Sequence, residues 1–251
     1  MIRVILARFQ QKHRTIRFPK GPAPAVPDRF RGLPEIARGP RAASPEMINV
    51  CPNGALRTSP DGETAIDLGL CLFCGACAGA SCGVTFTPDY RLATRRREDL
   101  VLKAGQELKL ADALEKRSRK LFGRSLRLRQ VSAGGCGACE ADTNVLTTVG
   151  WDLQRFGIDF VASPRHADGI LVTGPVTANM RLALMKTYEA VPAPKLIIAV
   201  GACAISGGPC AGNPETLGGV AGLLPVDLFI PGCPPHPLTI LDGLLRLLGR
   251  V

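Results

Sequence analysis

Cysteine is the residue type in this sequence whose number and spacing most clearly indicate chemistry. Of the ten cysteines, eight fall into two groups of four. The first group is Cys51, Cys71, Cys74 and Cys77, and the second is Cys136, Cys139, Cys203 and Cys233. A single cysteine at the end of an apolar run is usually a small buried hydrophobe, but four thiols at Gly- and Pro-rich turns are typical of a metal site. The sequence therefore predicts two metal sites.

The spacing within the first group is that of a bacterial ferredoxin. Cys71, Cys74 and Cys77 supply three ligands of a C-x2-C-x2-C-x3-C-P run. Cys51, followed by Pro52, resembles the last cysteine of a preceding run whose other three cysteines are missing. Because that last cysteine binds the cluster held mainly by the other run, we predict one [4Fe–4S] cluster with these four ligands.

Two alternatives to this assignment stay open. The run's own fourth position is Ser81, with Cys82 displaced by one residue, so Cys82 could replace Cys51 as the fourth ligand. Four cysteines also suit zinc, although the x2, x2 spacing with a separate Cys-Pro is a cluster pattern rather than a pair of zinc knuckles.

The charge distribution divides the chain of 251 residues into two parts. Lys and Arg minus Asp and Glu gives 24 − 12 = +12 for residues 1–130 and 7 − 9 = −2 for residues 131–251. Aromatic residues are scarce and no nucleic-acid motif occurs, so we expect no nucleic-acid partner. Ten cysteines without a secretory signal or transmembrane span indicate a reducing cytoplasm, where thiols stay available for metals.

Composition predicts four segments along the chain. Residues 1–36 form a basic arm that could lie on a membrane surface, in a groove of a partner or against its own domain. Residues 37–90 form a ferredoxin-like [4Fe–4S] domain of α+β type. Residues 91–124, rich in Arg and in good helix formers such as Leu108 and Leu114, form a basic helical linker that we expect to contact a partner subunit.

From residue 125 to residue 251 strands alternate with helices. Apolar runs predict strands at Leu126–Val131, Ile158–Ala162, Ile170–Thr173, Leu196–Val200 and Val226–Ile230. Asp142 is expected to cap a helix stopped by Gly157, Thr177 a helix that ends before Pro192, and a last helix runs from about Pro237 to Leu248. This order predicts an α/β fold, a flavodoxin-like and mostly parallel sheet with helices on both faces.

Such a sheet would bring the second cysteine group together. Ligands bind beyond the carboxyl ends of parallel strands, and each cysteine of the group follows a predicted strand. Gly135, Gly201 and Gly232 fit a backbone that closely approaches an inorganic core, since they lack a Cβ. We predict a second [4Fe–4S] cluster at this edge and treat Cys210 as structural or adventitious.

At this point the sequence resembles the small subunit of membrane-associated, group 4 [NiFe] hydrogenases of the formate hydrogenlyase and hydrogenase-4 type, relatives of the 20 kDa chain of complex I. The resemblance rests on Leu126–Val131, Gly135-Cys136-Gly137-Ala138-Cys139-Glu140, Ser163-Pro164-Arg165-His166-Ala167-Asp168, Gly174-Pro175-Val176-Thr177, Gly201-Ala202-Cys203 and Pro231-Gly232-Cys233-Pro234-Pro235. Residues from Phe30 to about Leu100 also resemble the polyferredoxin-like chain of those complexes, through Phe30-Arg31-Gly32-Leu33-Pro34-Glu35 and Cys71-Leu72-Phe73-Cys74-Gly75. The chain thus looks like a fusion of two subunits.

The resemblance implies an electron-transfer role at the cytoplasmic side of the membrane. The cluster at Cys136, Cys139, Cys203 and Cys233 would be the one nearest the active centre of a large subunit, within a complex of further peripheral and membrane subunits. The two residues between the first two cysteines are typical of the hydrogenase chains, since complex I chains have these cysteines adjacent. A quinone-reducing complex I relative and a zinc-stabilised scaffold are the alternatives.

No catalytic residue is expected in this chain, but several side chains lie near the predicted clusters. Arg165 is a candidate for raising the potential of the second cluster. Glu140 and Asp142 could relay protons or act structurally, and His166 and His236 could tune a cluster or occupy turns.

Overall fold

The described part of the first half of the chain includes a helix with no buried residue and five short strands. In the computed structural model, which describes residues 2–12, 14–37, 48–78 and 83–251, the helix is α1 (Ile2–Gln11). The strands are β1 (Pro34–Ile36), β2 (Leu56–Thr58), β3 (Thr64–Asp67), β4 (Val84–Phe86) and β5 (Val101–Lys103). β1 pairs antiparallel with β4, and β3 lies between β2 and β5 in an antiparallel sheet.

The predicted helical linker is mostly not helical, so that expectation was wrong. Only α2 (Lys116–Phe122) forms a helix there, after β5 and an irregular stretch. Leu100 and Leu102 are buried in the core, and β5 completes the sheet by pairing with β3. Burial against the sheet has therefore overridden the helix propensity of this stretch.

The second half contains the predicted parallel sheet. Its strands are β6 (Leu126–Ser132), β7 (Ile158–Phe160), β8 (Gly169–Thr173), β9 (Leu196–Val200) and β10 (Leu228–Ile230). They lie in the order β10-β9-β8-β6-β7, and all neighbouring pairs are parallel. The helices are α3 (Ala138–Val145), α4 (Ala178–Ala190), α5 (Ala202–Ser206) and α6 (Pro237–Leu247). The flavodoxin-like α/β architecture is confirmed.

Helices and loops cover both faces of this sheet. Successive side chains of a strand point to opposite faces. In β8, Ile170 and Val172 therefore pack into one core together with Leu184 of α4, while Leu171 packs into the other with the leucines of α6. The first of these cores continues into the small antiparallel sheet through residues such as Leu56 and Ile66. The two halves of the chain thus share one hydrophobic core.

Two of the three helix starts differ little from prediction, and one is wrong. Thr177 immediately precedes α4, and α6 begins at Pro237 as expected. Asp142 does not cap a helix but lies inside α3, which begins at Ala138 after Gly137. Gly137 has φ +86°, a conformation that glycine adopts at little cost and that turns the chain sharply into the helix. None of the helices in the described ranges has the length and hydropathy needed to span a bilayer.

Candidate metal centres

All four cysteines of the second group lie at the carboxyl edge of the parallel sheet. Cys136 is in the loop after β6 and Cys139 in the first turn of α3. Cys203 lies in α5 directly after β9, and Cys233 follows β10. The loops after β9 and β10 are bound to each other, because the Gly201 amide donates to the Ile230 carbonyl and the Ala202 amide to the Gly232 carbonyl, both at 2.8 Å. The parallel pairing of the strands thus brings four cysteines that are distant in sequence together at one edge of the sheet.

Close packing at this edge requires glycine. Gly201 has φ +90°, and a Cβ at this position would lie 2.5 Å from Cys139 Sγ. A Cβ at Gly135 would lie 2.9 Å from the Gly174 Cα, so the loops after β6 and β8 also touch through their backbones. Non-bonded heavy atoms cannot approach so closely without displacement. The predicted role of Gly201 in allowing close approach therefore has a direct structural counterpart at a cysteine sulfur.

The thiols of this group influence one another electrostatically. Burial raises the pKa of Cys139 to about 12, and the charges of Cys203, Glu140, Cys233 and Cys136 act in the same direction. Burial likewise raises the pKa of Cys203 to about 11, with contributions from Cys233, Cys210 and Cys136. Four thiolates this close repel one another unless a cation lies among them. A positively charged iron–sulfur core meets that requirement, so the donor set fits such a group.

The four cysteines of the first group line one small cavity. Cys51, Cys71, Cys74 and Cys77 all contribute to its wall. Two backbone amides are directed at sulfurs in this group: the Ala55 amide donates to Cys51 Sγ at 3.2 Å and the Phe73 amide to Cys71 Sγ at 3.3 Å. Amide hydrogen bonds to sulfur are one of the ways in which a protein sets the potential of an iron–sulfur cluster. The geometry of this group also fits a cluster.

The four thiols of the first group are mutually coupled as well. Burial raises the pKa of Cys71 to about 12; the Phe73 amide opposes this shift, and the charges of Cys77, Cys51 and Cys74 reinforce it. Ser81 and Cys82 lie outside the described residues, so the choice between Cys51 and Cys82 as fourth ligand stays a prediction. Over the ranges that the structure describes, no three Cys, His, Asp or Glu side chains are grouped so as to hold a single metal ion.

The two cysteine groups are neighbours. Burial raises the pKa of Cys233, and the charges of Cys136 and of Cys74, which belongs to the other group, add to the shift. A cleft next to Cys233 is also lined by Leu72 and Phe73, the two residues between Cys71 and Cys74. The structure therefore brings the two predicted metal sites within electrostatic reach of each other.

One hydrogen bond joins the segments that carry the two groups. Ser206, at the end of the helix that contains Cys203, donates through Oγ to the Gly69 carbonyl at 2.7 Å. Gly69 lies two residues before Cys71 and packs so tightly that a Cβ there would be 2.9 Å from Ile205 Cγ2. The contact fixes the distance between the two ligand-bearing segments. Sequence reasoning missed Ser206, because nothing local relates it to a residue 137 positions away.

A buried carboxylate orders the loop that leads to Cys71. Asp67 is 2 % exposed and forms ion pairs with Arg57 and, at 2.8 Å, with Arg97. Its Oδ1 accepts from the Gly69 amide at 2.9 Å, and its backbone carbonyl accepts from the Cys71 amide at 3.0 Å. A buried charge with this many partners is satisfied and rigid. The sequence did not predict this network of ion pairs and hydrogen bonds around Asp67.

The acidic candidates beside the second group differ in their surroundings. Burial acts to raise the pKa of Glu140, but hydrogen bonds from Ser132 and Thr173 outweigh it and hold the pKa below its ordinary value. The Thr173 hydroxyl donates to Glu140 Oε1 at 2.6 Å, which attaches α3 to the end of β8. Burial raises the pKa of Asp142, which lines the cleft near Cys233. Glu140 thus has an evident structural role, and Asp142 belongs to the wall of this cleft.

The remaining candidates are a half-buried helix cap, His236, and two residues in a turn. His236 precedes α6, and its Nδ1 accepts from the Leu238 amide at 3.1 Å. Its ring packs edge-on against Phe30, with 5.3 Å between centroids, and burial lowers its pKa. Arg165 and His166 lie in an exposed turn after β7. A tuning role for Arg165 stays a prediction.

The fold and the site define this half of the chain as an α/β unit of the flavodoxin-like class with four cysteines at the carboxyl edge of its parallel sheet. Residues 136–247 match the protein family described as NADH ubiquinone oxidoreductase, 20 Kd subunit. The chain belongs to this family, whose members bind iron–sulfur clusters and are subunits of oxidoreductase complexes. The resemblance inferred from the cysteine motifs is confirmed at the level of the family.

Three relatives illustrate the range of the family. The chain is 41% identical over 141 residues to the probable membrane-bound hydrogenase subunit mbhJ of Pyrococcus furiosus, covering 55% of this chain and 84% of the relative. It is 42% identical over 130 residues to formate hydrogenlyase subunit 7 of Escherichia coli, covering 52% and 51%. It is 40% identical over 120 residues to an NADH-quinone oxidoreductase subunit of Heliobacterium modesticaldum, covering 47% and 69%. All three alignments concern about half of this chain.

Proposed function

We propose that this chain is the electron-transfer subunit of a hydrogenase-like oxidoreductase complex and relays electrons through two [4Fe–4S] clusters. One cluster would be held by Cys51, Cys71, Cys74 and Cys77, and the other by Cys136, Cys139, Cys203 and Cys233. The observation that carries the proposal is the direct contact between the two cysteine-bearing segments: Ser206, three residues after Cys203, donates through Oγ to the carbonyl of Gly69, two residues before Cys71, at 2.7 Å. Two clusters held by cysteine sets this close to each other would be consecutive sites on one electron-transfer path.

When bound, such clusters supply one-electron redox chemistry. The chain's own residues hold and orient the ligands. The Ala55 and Phe73 amides donate to ligand sulfurs, Asp67 orders the loop before Cys71, and Gly201 makes room for Cys139. The work of the protein is thus to fix the distance between the clusters and to set their potentials.

The partners and location belong to the same proposal. A hydrogenase-like large subunit would receive or supply electrons at the second cluster, and further peripheral and membrane subunits would complete the complex on the cytoplasmic side of the membrane. The relatives named as membrane-bound hydrogenase and formate hydrogenlyase subunits support this placement. We retain residues 37–90 and 125–251 as the two cluster-bearing domains; β1 and β5, from the flanks of the first, complete its two small sheets.

Metal analysis of the anaerobically purified full chain tests the proposal. Two clusters require about eight iron and eight acid-labile sulfide per chain. Cys71→Ser and Cys139→Ser should each remove about half of both. Cys210→Ser is the matched control, since Cys210 is a cysteine near Cys203 but outside both proposed ligand sets, and it should retain the full content. Stoichiometric zinc without sulfide would contradict the proposal and favour the scaffold alternative.

Two further comparisons separate the finer alternatives. Cys51→Ser and Cys82→Ser distinguish the fourth ligand of the first cluster, because only the true ligand's loss should reduce the iron content. Co-purification from the native host, followed by nickel analysis of the accompanying large subunit, distinguishes the hydrogenase-like complex from a quinone-reducing relative. A partner without nickel would contradict the hydrogenase part and leave the electron relay intact.

A further inference from the structure

Helix α1 exposes its apolar side chains to solvent. None of its residues is buried, and Ile2, Val4, Ile5, Leu6 and Phe9 are 54–78% exposed. Isolated exposed apolar residues are common on protein surfaces, but five within eight positions of one helix are not. The expectation that this arm packs on its own domain therefore does not hold for α1. A face of this kind requires something to cover it.

The apolar residues of α1 are arranged by helical spacing. Ile2, Ile5, Leu6 and Phe9 recur at i, i+3, i+4 and i+7 and so form one stripe along the helix. Val4 lies on the opposite side. The helix is thus amphipathic, with a narrow apolar stripe flanked on its two sides by Arg3 and Arg8.

The charges around the stripe are all of one sign. The first twenty residues contain six cations, and the first acidic residue of the chain is Asp28. The cations are Arg3, Arg8, Lys12, Arg14, Arg17 and Lys20. A second copy of the chain would bring an equally positive arm to the stripe, which opposes self-association. An anionic lipid surface accepts both features, because it buries the stripe and attracts the cations.

The chain directly after α1 is attached to the body of the protein. The Ile16 amide donates to the Gly150 carbonyl at 2.9 Å, and Arg155 donates to the Phe18 carbonyl at 2.8 Å. Phe18 is buried in the core. Val149, beside this attachment point, is itself 71% exposed and adds an apolar side chain near the exit of the arm. The helix is therefore held at a defined place on the surface rather than on a long tether.

We propose that α1 lies in the plane of an anionic membrane surface, with Ile2, Ile5, Leu6 and Phe9 among the acyl chains and the arginines and lysines at the headgroups. The chain then contacts lipid directly, in addition to any attachment through partner subunits. This inference stands apart from the electron relay, since it uses none of the cysteines.

Vesicle sedimentation with the anaerobically purified full chain tests the inference. The chain should bind phosphatidylcholine vesicles containing about one quarter phosphatidylglycerol, and binding should weaken as salt rises. Ile5→Ser should lower the partition coefficient by about tenfold or more, since burying such a side chain is worth more than about 1.4 kcal/mol. Val4→Ser is the matched control, because it removes a neighbouring exposed apolar side chain from the opposite face and should change the coefficient by less than about twofold.

Three outcomes would overturn the inference. The first is a wild-type chain that stays in the supernatant, which would indicate that a partner protein, rather than lipid, covers the stripe. The second is equal binding to vesicles of phosphatidylcholine alone, which would remove the role of charge. The third is an Ile5→Ser variant that binds as well as Val4→Ser.

Discussion

Replacing Gly201 with alanine should remove the second cluster and leave the first. The added Cβ would lie 2.5 Å from Cys139 Sγ, well inside van der Waals contact, so the sulfur must move away from its position. Cys139 has little freedom to do so, because it is in the first turn of α3 and its carbonyl accepts from the Thr143 hydroxyl at 2.7 Å. A ligand displaced by about an ångström no longer matches the geometry of a cluster. We expect about half of the iron and sulfide to be lost.

The backbone cost of this substitution can be measured separately. Gly201 has φ +90° and ψ +156°, a region essentially restricted to glycine, where an L-residue costs about 1–3 kcal/mol. Gly212 also has a positive φ, of +80°, and a Cβ there would meet nothing within 4 Å. Gly212→Ala therefore places an L-residue at positive φ without the contact with sulfur. It should keep both clusters while lowering Tm by about 2–4 °C for each kcal/mol.

Iron, sulfide and the EPR spectrum of the reduced protein provide the readout. Gly201→Ala should lose the signal of one cluster, whereas Gly212→Ala should match the wild type. If both variants retain the full iron content, then Cys139 does not occupy a ligand position next to Gly201, and the assignment of the second site fails. If both lose iron equally, backbone strain rather than the contact with sulfur accounts for the effect.

Three further predictions concern positioning and titration. Ser206→Ala removes the hydrogen bond to Gly69 and should lower the free energy of unfolding by about 1 kcal/mol. It should also weaken the EPR spin coupling between the two reduced clusters, and an unchanged EPR line shape would contradict this role of Ser206. Arg91→Gln should raise the pKa of Asp89 toward its ordinary value, because it removes the charge and the guanidinium hydrogen bonds of Arg91 and leaves only the backbone amide of residue 91 and the charge of Arg246 to oppose burial. An unchanged pKa in a carboxyl NMR titration would contradict this. Burial lowers the pKa of His236 below 6.5, so the unfolded chain binds more protons than the folded chain, and the free energy of unfolding should fall as pH drops through 6.5. Urea unfolding of His236→Asn should show a weaker pH dependence than that of the wild type. An identical pH dependence would contradict the assignment.

The parallel sheet could be predicted because its signal is local. β8 and β9 are buried on both faces, which makes their sequences continuous apolar runs. Once the strands are parallel, the residues after them must meet at one edge, so the convergence of Cys203 and Cys233 follows from topology. The role of Gly201 was predictable for the same reason, because the residue after a buried parallel strand must pass close to the site at the edge of the sheet.

Features that depend on pairing between distant segments could not be predicted. The helix-forming composition around Leu102 concealed β5, whose existence depends on the partner strand β3. The ion pair of Asp67 with Arg97 and the bond of Ser206 to Gly69 join positions with no periodic relation. Such contacts are visible only after the two halves of the chain have packed on a common core. The bond of Ser206 to Gly69 also joins the segment of the first cysteine group to that of the second.

The exposure of the ligands indicates where a partner must bind. Cys74, Cys136 and Cys233 are exposed, whereas Cys71 is buried. Exposed cluster ligands are open to oxidation, and water around a cluster shifts its potential. A partner surface over Cys136 and Cys233 would exclude that water and place its own redox centre next to the second cluster. If the proposed relay is correct, a large subunit would cover these two cysteines, and their solvent accessibility should fall when it binds.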